Sequence, residues 1–303
     1  MLLMQEFLEW PWSAAVVTMG VFDGVHLGHQ ALLERTVRVA RERDWRAVAL
    51  TFEPHPDAVL RPEQAPKLLT TTMEKAALIE RHGIEVLVVA RFDQALADTE
   101  PEDFIRRVLV GKLTARYVVV GHRTRFGRRA RGDVSLLREV AGPLGVEVEC
   151  VGPVTVDGQV PSSTLIRERV AAGEIAQANL LLGREYTLTG TVVHGEERGR
   201  TLGFPTANLE VPPERLLPGN GVYAALARWE EHSAPAVVNV GRRPTFRGEG
   251  VTVEAYLPGF SGDLYGRRLT LAFRRRLREE RRFDSPEALR KQMARDAEEA
   301  TKE

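Results

Sequence analysis

Hydrophobic and polar positions change their period along the chain, and the change divides it. In the first two-thirds, short apolar runs at residues 14–21, 47–52, 86–90, 118–121 and 146–151 alternate with helical patterns. After Gly28, the residues Leu32, Leu33, Thr36, Val37 and Ala40 recur at helical spacing, while Glu34, Arg35, Arg38, Arg41 and Glu42 fill the other face. Residues 72–82, 101–109 and 134–140 give further helices, the second opened by Thr99 and Pro101. This rhythm of strand, helix, strand predicts βαβ units, that is, an α/β domain with a Rossmann-like parallel sheet and helices on both faces. Past Gly183, residues 186–194, 221–229, 236–240, 251–257 and 268–273 read as strands separated by Gly and Pro, and only residues 286–300 read as a convincing helix. That pattern predicts an antiparallel β-barrel with a C-terminal helix. The expected domains are therefore 1–183 and 184–303.

Composition narrows the classes. A chain of 303 residues favours two domains, and 43% hydrophobic with 28% charged residues is the range of an ordinary globular protein. Basic and acidic residues balance, 42 against 42, without the excess of a dedicated nucleic-acid or membrane-surface binder. No nucleic-acid and no membrane partner is expected. Cys150 is the only cysteine, which excludes an intramolecular disulfide or a Cys-based zinc site and suits a reducing compartment. The first twelve residues carry Glu6 and Glu9 and no basic residue, unlike a secretory signal. No apolar run approaches the roughly 18 residues of a membrane span. The expected location is cytoplasmic.

Four segments carry candidate chemistry. Gly20-Val21-Phe22-Asp23-Gly24-Val25-His26-Leu27-Gly28-His29 ends the first predicted strand and opens the first helix. Glycines there allow close backbone approach, and a helix N-terminus offers free N–H groups to phosphate. Two histidines three residues apart can donate to phosphate oxygens and stabilise growing charge. The alternatives are a plain tight turn or half of a His-x-x-His metal site. Ser162-Ser163-Thr164-Leu165-Ile166-Arg167 starts a short helix, where hydroxyls either cap the helix or bind phosphate. Thr51-Phe52-Glu53-Pro54-His55-Pro56 offers either loop punctuation or an apolar wall for a flat ring. In the second domain, Gly195, Arg198 and Gly203-Phe204-Pro205-Thr206-Ala207-Asn208 read as a loop. Thr206 and Asn208 place two oxygen ligands on one side of an extended chain, a donor set suited to Mg²⁺ with substrate phosphates.

The pairing of the His-x-Gly-His turn with the Ser-Ser-Thr segment resembles the nucleotidylyltransferase superfamily. The whole chain, apart from a few terminal residues, resembles the bacterial bifunctional riboflavin kinase/FMN adenylyltransferases, or FAD synthetases. Further segments that carry the likeness are Leu217-Pro218, Asn220 to Tyr223, Asn239-Val240-Gly241, Pro244-Thr245-Phe246, Glu254 and Asp263-Leu264-Tyr265-Gly266. The resemblance implies that the first domain transfers AMP from ATP to FMN, giving FAD and pyrophosphate. His26 and His29 then contact the ATP phosphates, and Gly20, Phe22, Asp23 and Gly24 shape the turn. Ser162, Ser163, Thr164 and Arg167 supply a second phosphate clamp. Phe52, Pro54, Pro56, Arg125 and Phe126 lie toward the flavin. The second domain is implied to phosphorylate riboflavin with ATP. Glu254 matches its catalytic base; Gly195, Arg198, Thr206 and Asn208 match the Mg²⁺–ATP loop; Arg278 matches a position near the flavin.

Two departures stand out. Gly121-His122-Arg123-Thr124-Arg125-Phe126-Gly127 carries Arg123 and Thr124 where the family has a short polar residue and an aromatic. Tyr256 stands where a His is common. Arg123 and Thr124 leave one alternative to a bifunctional enzyme, a riboflavin kinase with a degenerate adenylyltransferase domain; the cluster Arg123, Arg125, Arg128, Arg129 and Arg131 leaves another, a non-catalytic flavin-sensing or RNA-binding regulator.

Overall fold

The computed structural model describes residues 1–5, 10–195, 203–245, 248–281 and 283–302. They form two compact units, Met1–Ser163 and Thr164–Glu303.

The first unit is built on six parallel strands: β1 (Leu2–Gln5), β2 (Ala15–Met19), β3 (Arg46–Glu53), β4 (Val86–Arg91), β5 (Ala115–Gly121) and β6 (Glu147–Val151). Their spatial order is β1-β4-β3-β2-β5-β6. Strand β2 is buried along its whole length, because alternate side chains serve opposite cores. Ala15, Val17 and Met19 join one core with Phe104, Ile105, Val108, Leu109, Leu137 and Ala141. Val16 joins the other with Phe22, Leu33, Val37, Ala76 and Ile79. The helices of this unit are α1 (Leu27–Arg43), α2 (Pro56–Leu60), α3 (Thr72–Arg81), α4 (Gln94–Ala97), α5 (Pro101–Asp103) and α6 (Val134–Ala141); the named partners come from α1, α3, α6, the segment Phe104–Lys112 and the turn after β2. The α/β/α layering expected from the pattern is therefore present.

Three local features depart from the expected elements. Leu2–Gln5 is an edge strand paired parallel to β4; four residues are too few to show a period. The predicted helix at 101–109 begins as α5 and continues as π-helix over Phe104–Lys112. Apolar spacing registers the buried face of such a segment but not its winding. Thr206–Glu210 is a strand rather than a loop.

The chain leaves β2 toward β3 on one side and returns at β5 on the other. This reversal makes the carboxyl end of β2 a topological switch point, the place where open α/β sheets bind ligands.

In the second unit, helix α7 (Ser163–Ala172), whose first residue closes the first unit, and helix α8 (Ile175–Leu182) lead into a closed antiparallel barrel. Its strands are β7 (Tyr186–Val193), β8 (Thr206–Glu210), β9 (Gly221–Trp229), β10 (His232–Thr245), β11 (Gly248–Tyr256) and β12 (Arg268–Arg278), in the order β10-β11-β8-β7-β12-β9. Closure removes exposed strand edges. Tyr186, Leu188, Leu271, Phe273, Val253 and Ala255 fill the interior. Helix α9 (Pro286–Thr301), capped by the Ser285 side chain, ends the fold.

Helix α8 escaped the sequence pattern, since its apolar residues crowd rather than recur. It packs on the barrel: the Asn179 side chain donates to Phe273 O at 2.9 Å and accepts from Tyr186 N at 2.7 Å. The packing boundary at Thr164 thus lies ahead of the change in strand pattern at Gly183.

Candidate active sites

At the carboxyl end of β2 the chain turns sharply. Phe22, Gly24 and Val25 all have positive φ, at 51°, 80° and 40°. Two non-glycine residues in this region mark local strain, of the kind held where a site over-determines its backbone. Phe22 and Val25 are buried, so packing holds them there. The turn is clasped from below by Asp23, which is 2% exposed. Its carboxylate accepts from Leu69 N at 3.1 Å, Thr70 N at 3.0 Å and Thr70 Oγ1 at 3.1 Å. Thr70 Oγ1 in turn accepts from Gly24 N at 3.0 Å. The Ser163 hydroxyl donates to the Asp23 carbonyl at 2.8 Å. Ser163, predicted as a phosphate ligand, thereby joins the nucleotide turn, with Ser162 beside it.

His26 caps α1: its Nδ1 accepts from His29 N at 3.3 Å. Its ring lies over Gly28, where a Cβ would stand 3.2 Å from the imidazole. The glycine between the histidines therefore makes room for the cap. The His26 and His29 rings stack with centroids 3.6 Å apart, and Phe22 meets His29 edge-on at 5.2 Å. Burial pushes the His29 pKa well below the ordinary histidine value, with His26 and then Lys75 adding repulsion. His29 Nδ1 is buried and has no hydrogen-bond partner among the described residues. A neutral imidazole with an open nitrogen, at a helix N-terminus, is a ready partner for phosphate.

Beside the turn is a cavity of about 750 Å³. It brings Gly20 together with Phe52, Pro56, Arg125 and Phe126, all predicted as site residues. Phe92 also lines it and meets Phe52 edge-on at 5.8 Å. Pro54, which follows a cis peptide bond, is exposed and outside the lining. Thr124 faces this cavity, whereas Arg123 is exposed and does not line it. A cavity of similar size, about 740 Å³, lies at the opposite, amino-terminal ends of the strands beside Trp12 and Trp45. Two of its arginines, Arg43 and Arg46, are already paired with Glu147 and Glu85, and none of the motif residues reaches it.

Thr164 is exposed and Arg167 is half-buried on α7; both belong to the second unit. In that unit the strand register assembles the other set. Glu254 of β11 stands opposite Asn208 of β8 on one side and Asn239 of β10 on the other. Thr206 stands opposite Tyr256. Directly paired residues share a face of the sheet, so Glu254, Asn208, Asn239 and Thr206 lie on one side. The alternate residues Val253, Ala255 and Leu209 point into the barrel. One Glu254 carboxylate oxygen is buried. A Cβ on Gly195 would overlap the Asn208 amide, so only glycine permits this approach. Thr206 also lines a cavity of about 260 Å³ with Asp263, Leu264 and Tyr265, and Tyr265 stacks on His194 at 3.7 Å. Arg198 lies outside the described residues.

Arg278 is engaged structurally. It makes an ion pair with Asp296 of α9 at 2.8 Å, and its Nη1 donates to Glu279 O. Asp296 is 4% exposed, so this pair fastens the last helix to the barrel.

Sequence reasoning passed over Lys75, Phe92 and the Leu69–Thr70 clasp. Lys75 had one available signal: it occupies the apolar face of its helix with Ala76 and Ile79. Among the described residues no three His, Cys, Asp or Glu side chains converge on a metal site.

A parallel α/β unit whose central strand opens into a histidine-capped helix, followed in one chain by a closed antiparallel barrel, defines the class: a nucleotidyltransferase fused to a barrel kinase. A family model described as FAD synthetase matches residues 9–165, and one described as riboflavin kinase matches residues 182–303. Proteins named bifunctional riboflavin kinase/FMN adenylyltransferase are similar over nearly the whole chain. The one from Escherichia coli (strain K12) is 37% identical, covering 94% of this chain and 91% of its own. The Bacillus subtilis (strain 168) protein is 35% identical over 95% and 92%. The Pseudomonas fluorescens protein is 39% identical over 91% and 88%. A crystal structure from Streptococcus pneumoniae, named a macrolide-efflux protein, matches with a TM-score of 0.91 at 30% identity, covering 100% of this chain and 99% of that one. Among the described residues of the present chain, no helix is long and apolar enough to cross a membrane. The chain belongs to the bifunctional riboflavin kinase/FMN adenylyltransferase family. It phosphorylates riboflavin with ATP to FMN, and it transfers AMP from ATP to FMN to give FAD.

Proposed function

We propose that the two reactions run on two separate sets of residues, with FAD formation in residues 1–183 and FMN formation in residues 184–303. In the first, the start of α1, His26 and His29 hold the ATP phosphates, helped by Ser162 and Ser163. The cavity walled by Phe52 and Phe126 takes the flavin, with Arg125 at its edge. The FMN phosphate attacks the α-phosphorus and pyrophosphate leaves. No covalent nucleophile is needed, since alignment and charge stabilisation lower the barrier. In the second set, Glu254 accepts the proton of the ribityl 5′-hydroxyl as that oxygen attacks the γ-phosphorus of ATP, and the bond to the β–γ bridging oxygen breaks to release ADP. Gly195, Arg198, Thr206 and Asn208 hold the nucleotide, and Arg278 adjoins the flavin side.

The Thr206 hydroxyl and the Asn208 amide are hard oxygen donors on the face that carries Glu254, and they fit Mg²⁺. When bound, Mg²⁺ neutralises phosphate charge in the kinase reaction. The lone thiol of Cys150 supports action in the reducing cytoplasm.

The observation that carries the kinase assignment is the register pairing Glu254 with Asn208 and Tyr256 with Thr206. The test is Asn208→Ala, followed by calorimetric Mg²⁺–ATP binding and by riboflavin phosphorylation across a Mg²⁺ titration. Loss of one hard-oxygen ligand is expected to weaken Mg²⁺–ATP binding about tenfold or more, with FAD formation from supplied FMN unchanged. An unchanged Mg²⁺ dependence contradicts the assignment.

A further inference from the structure

Lys75 is 5% exposed on the inner face of α3. A buried ammonium is costly unless it is paired and fully hydrogen-bonded. Here Nζ makes a hydrogen bond to Thr51 Oγ1 at 3.3 Å, and among the described residues no carboxylate forms an ion pair with it. Burial lowers the Lys75 pKa below the ordinary lysine value, and the nearby acids, Asp23 below the turn and Glu53 at the end of β3, offset that only in part. The Asp23 carboxylate is already occupied by Leu69 and Thr70.

Thr51 Oγ1 passes the contact onward by donating to the Val21 carbonyl at 3.0 Å. Val21 belongs to the nucleotide turn and lines the 750 Å³ cavity. The ammonium therefore stands one hydroxyl beneath the turn. It also opposes protonation of His29 of α1, as His26 does. A buried ammonium with no carboxylate in ion-pair contact is incompletely neutralised, and a polyphosphate arriving above the turn supplies further counter-charge.

We propose that Lys75 is a positioning residue for adenylyl transfer: it holds the Val21 turn through Thr51 and supplies the fixed positive charge that the polyphosphate chain of the nucleotide neutralises. This rests on the reading of the His26–His29 turn as the phosphate site. It adds a residue that acts from beneath the turn without touching substrate.

Lys75→Met keeps the apolar stem and removes the charge. Pyrophosphate is the probe, added to full-length protein as an inhibitor of FAD formation from supplied FMN. One unit charge acting across roughly 10 Å at an effective dielectric near 20 is worth about a tenfold change in affinity. The expected result is pyrophosphate inhibition weakened about tenfold and KM for ATP raised similarly. The thermal midpoint should be unchanged or higher, because an incompletely paired buried charge has gone. By NMR the His29 ring should titrate at higher pH than in the parent, one repulsive neighbour having been removed. Riboflavin phosphorylation is the folding control.

Pyrophosphate inhibition within about threefold of the parent, in protein that still makes FMN, overturns the proposal. If Lys75→Met unfolds the first unit, Lys75→Gln is read the same way. Unfolding of both makes the ammonium a structural element and also overturns it. His29→Ala is assayed alongside. If it too leaves pyrophosphate inhibition unchanged, the reading of the phosphate site falls; if only Lys75→Met does, this inference falls alone.

Discussion

The His26 and His29 rings, stacked at 3.6 Å over the start of α1, divide the work of one short motif. His26 spends its Nδ1 on capping the helix, while His29 keeps a buried nitrogen open. Burial, then His26, then Lys75 hold His29 neutral at a lower pH than usual. In the unfolded chain His29 takes up a proton as the pH falls through about 6.5. The folded site resists until a lower pH. The stability linked to its neutral form is therefore complete above about pH 6.5 and is lost as the pH falls from there toward the lower folded value. The first unit is expected to unfold more readily at about pH 5.5 than at about pH 7.5, and His29→Ala to narrow that gap in thermal melts. The same variant should slow FAD formation by about 10²–10³, the usual effect of losing one charge-stabilising donor. FMN formation should be untouched; equal loss of both activities contradicts the separation of sites. The histidines were legible in the sequence because a glycine turn between an apolar run and a helical pattern singles them out. Lys75 and Phe92 were not, since a helix-face lysine and an isolated aromatic gain meaning only from what they pack against.

Among elements, most strands of both units followed their apolar runs, and β1 and β8 did not. The Thr206-Ala207-Asn208 sequence of β8 carries turn-forming residues, and its extended state comes from pairing with β11 and β7. Helices α7 and α8 show another limit. Change of period located the start of the barrel strands, but packing joins these two helices to the barrel. Val170 O accepts from Gly219 N at 2.9 Å, and Ile175, Leu181 and Leu182 are buried. Exposing three such side chains forfeits about 1.5–3 kcal/mol each, a large share of the roughly 5–15 kcal/mol that holds a domain folded. A fragment spanning residues 164–303 is expected to fold and phosphorylate riboflavin. One spanning 184–303 should melt at a clearly lower temperature. Equal melting temperatures by calorimetry would show that the two helices contribute nothing to the barrel.

At the scale of the whole chain, two reactions that share ATP and a flavin are assigned to side chains of different compact units. The barrel register sets Glu254 in a row with Asn208 and Asn239, and the β2 turn sets His29 at a helix start in the other unit. The bifunctional reading was available from motif order alone, but the facing of Asn208 and Glu254 was not, because register depends on which strands become neighbours. General-base assistance is commonly worth about 10²–10⁴ in rate. Glu254→Gln keeps the size and polarity of the side chain but cannot take the proton. The most direct measurement is single-turnover conversion in this variant, with riboflavin and ATP in one arm and FMN and ATP in the other. FMN formation should fall by about 10²–10⁴ while FAD formation from supplied FMN proceeds at the parental rate. FMN formation within a few-fold of the parent, or a parallel loss of FAD formation, would contradict two independent centres with Glu254 as the kinase base.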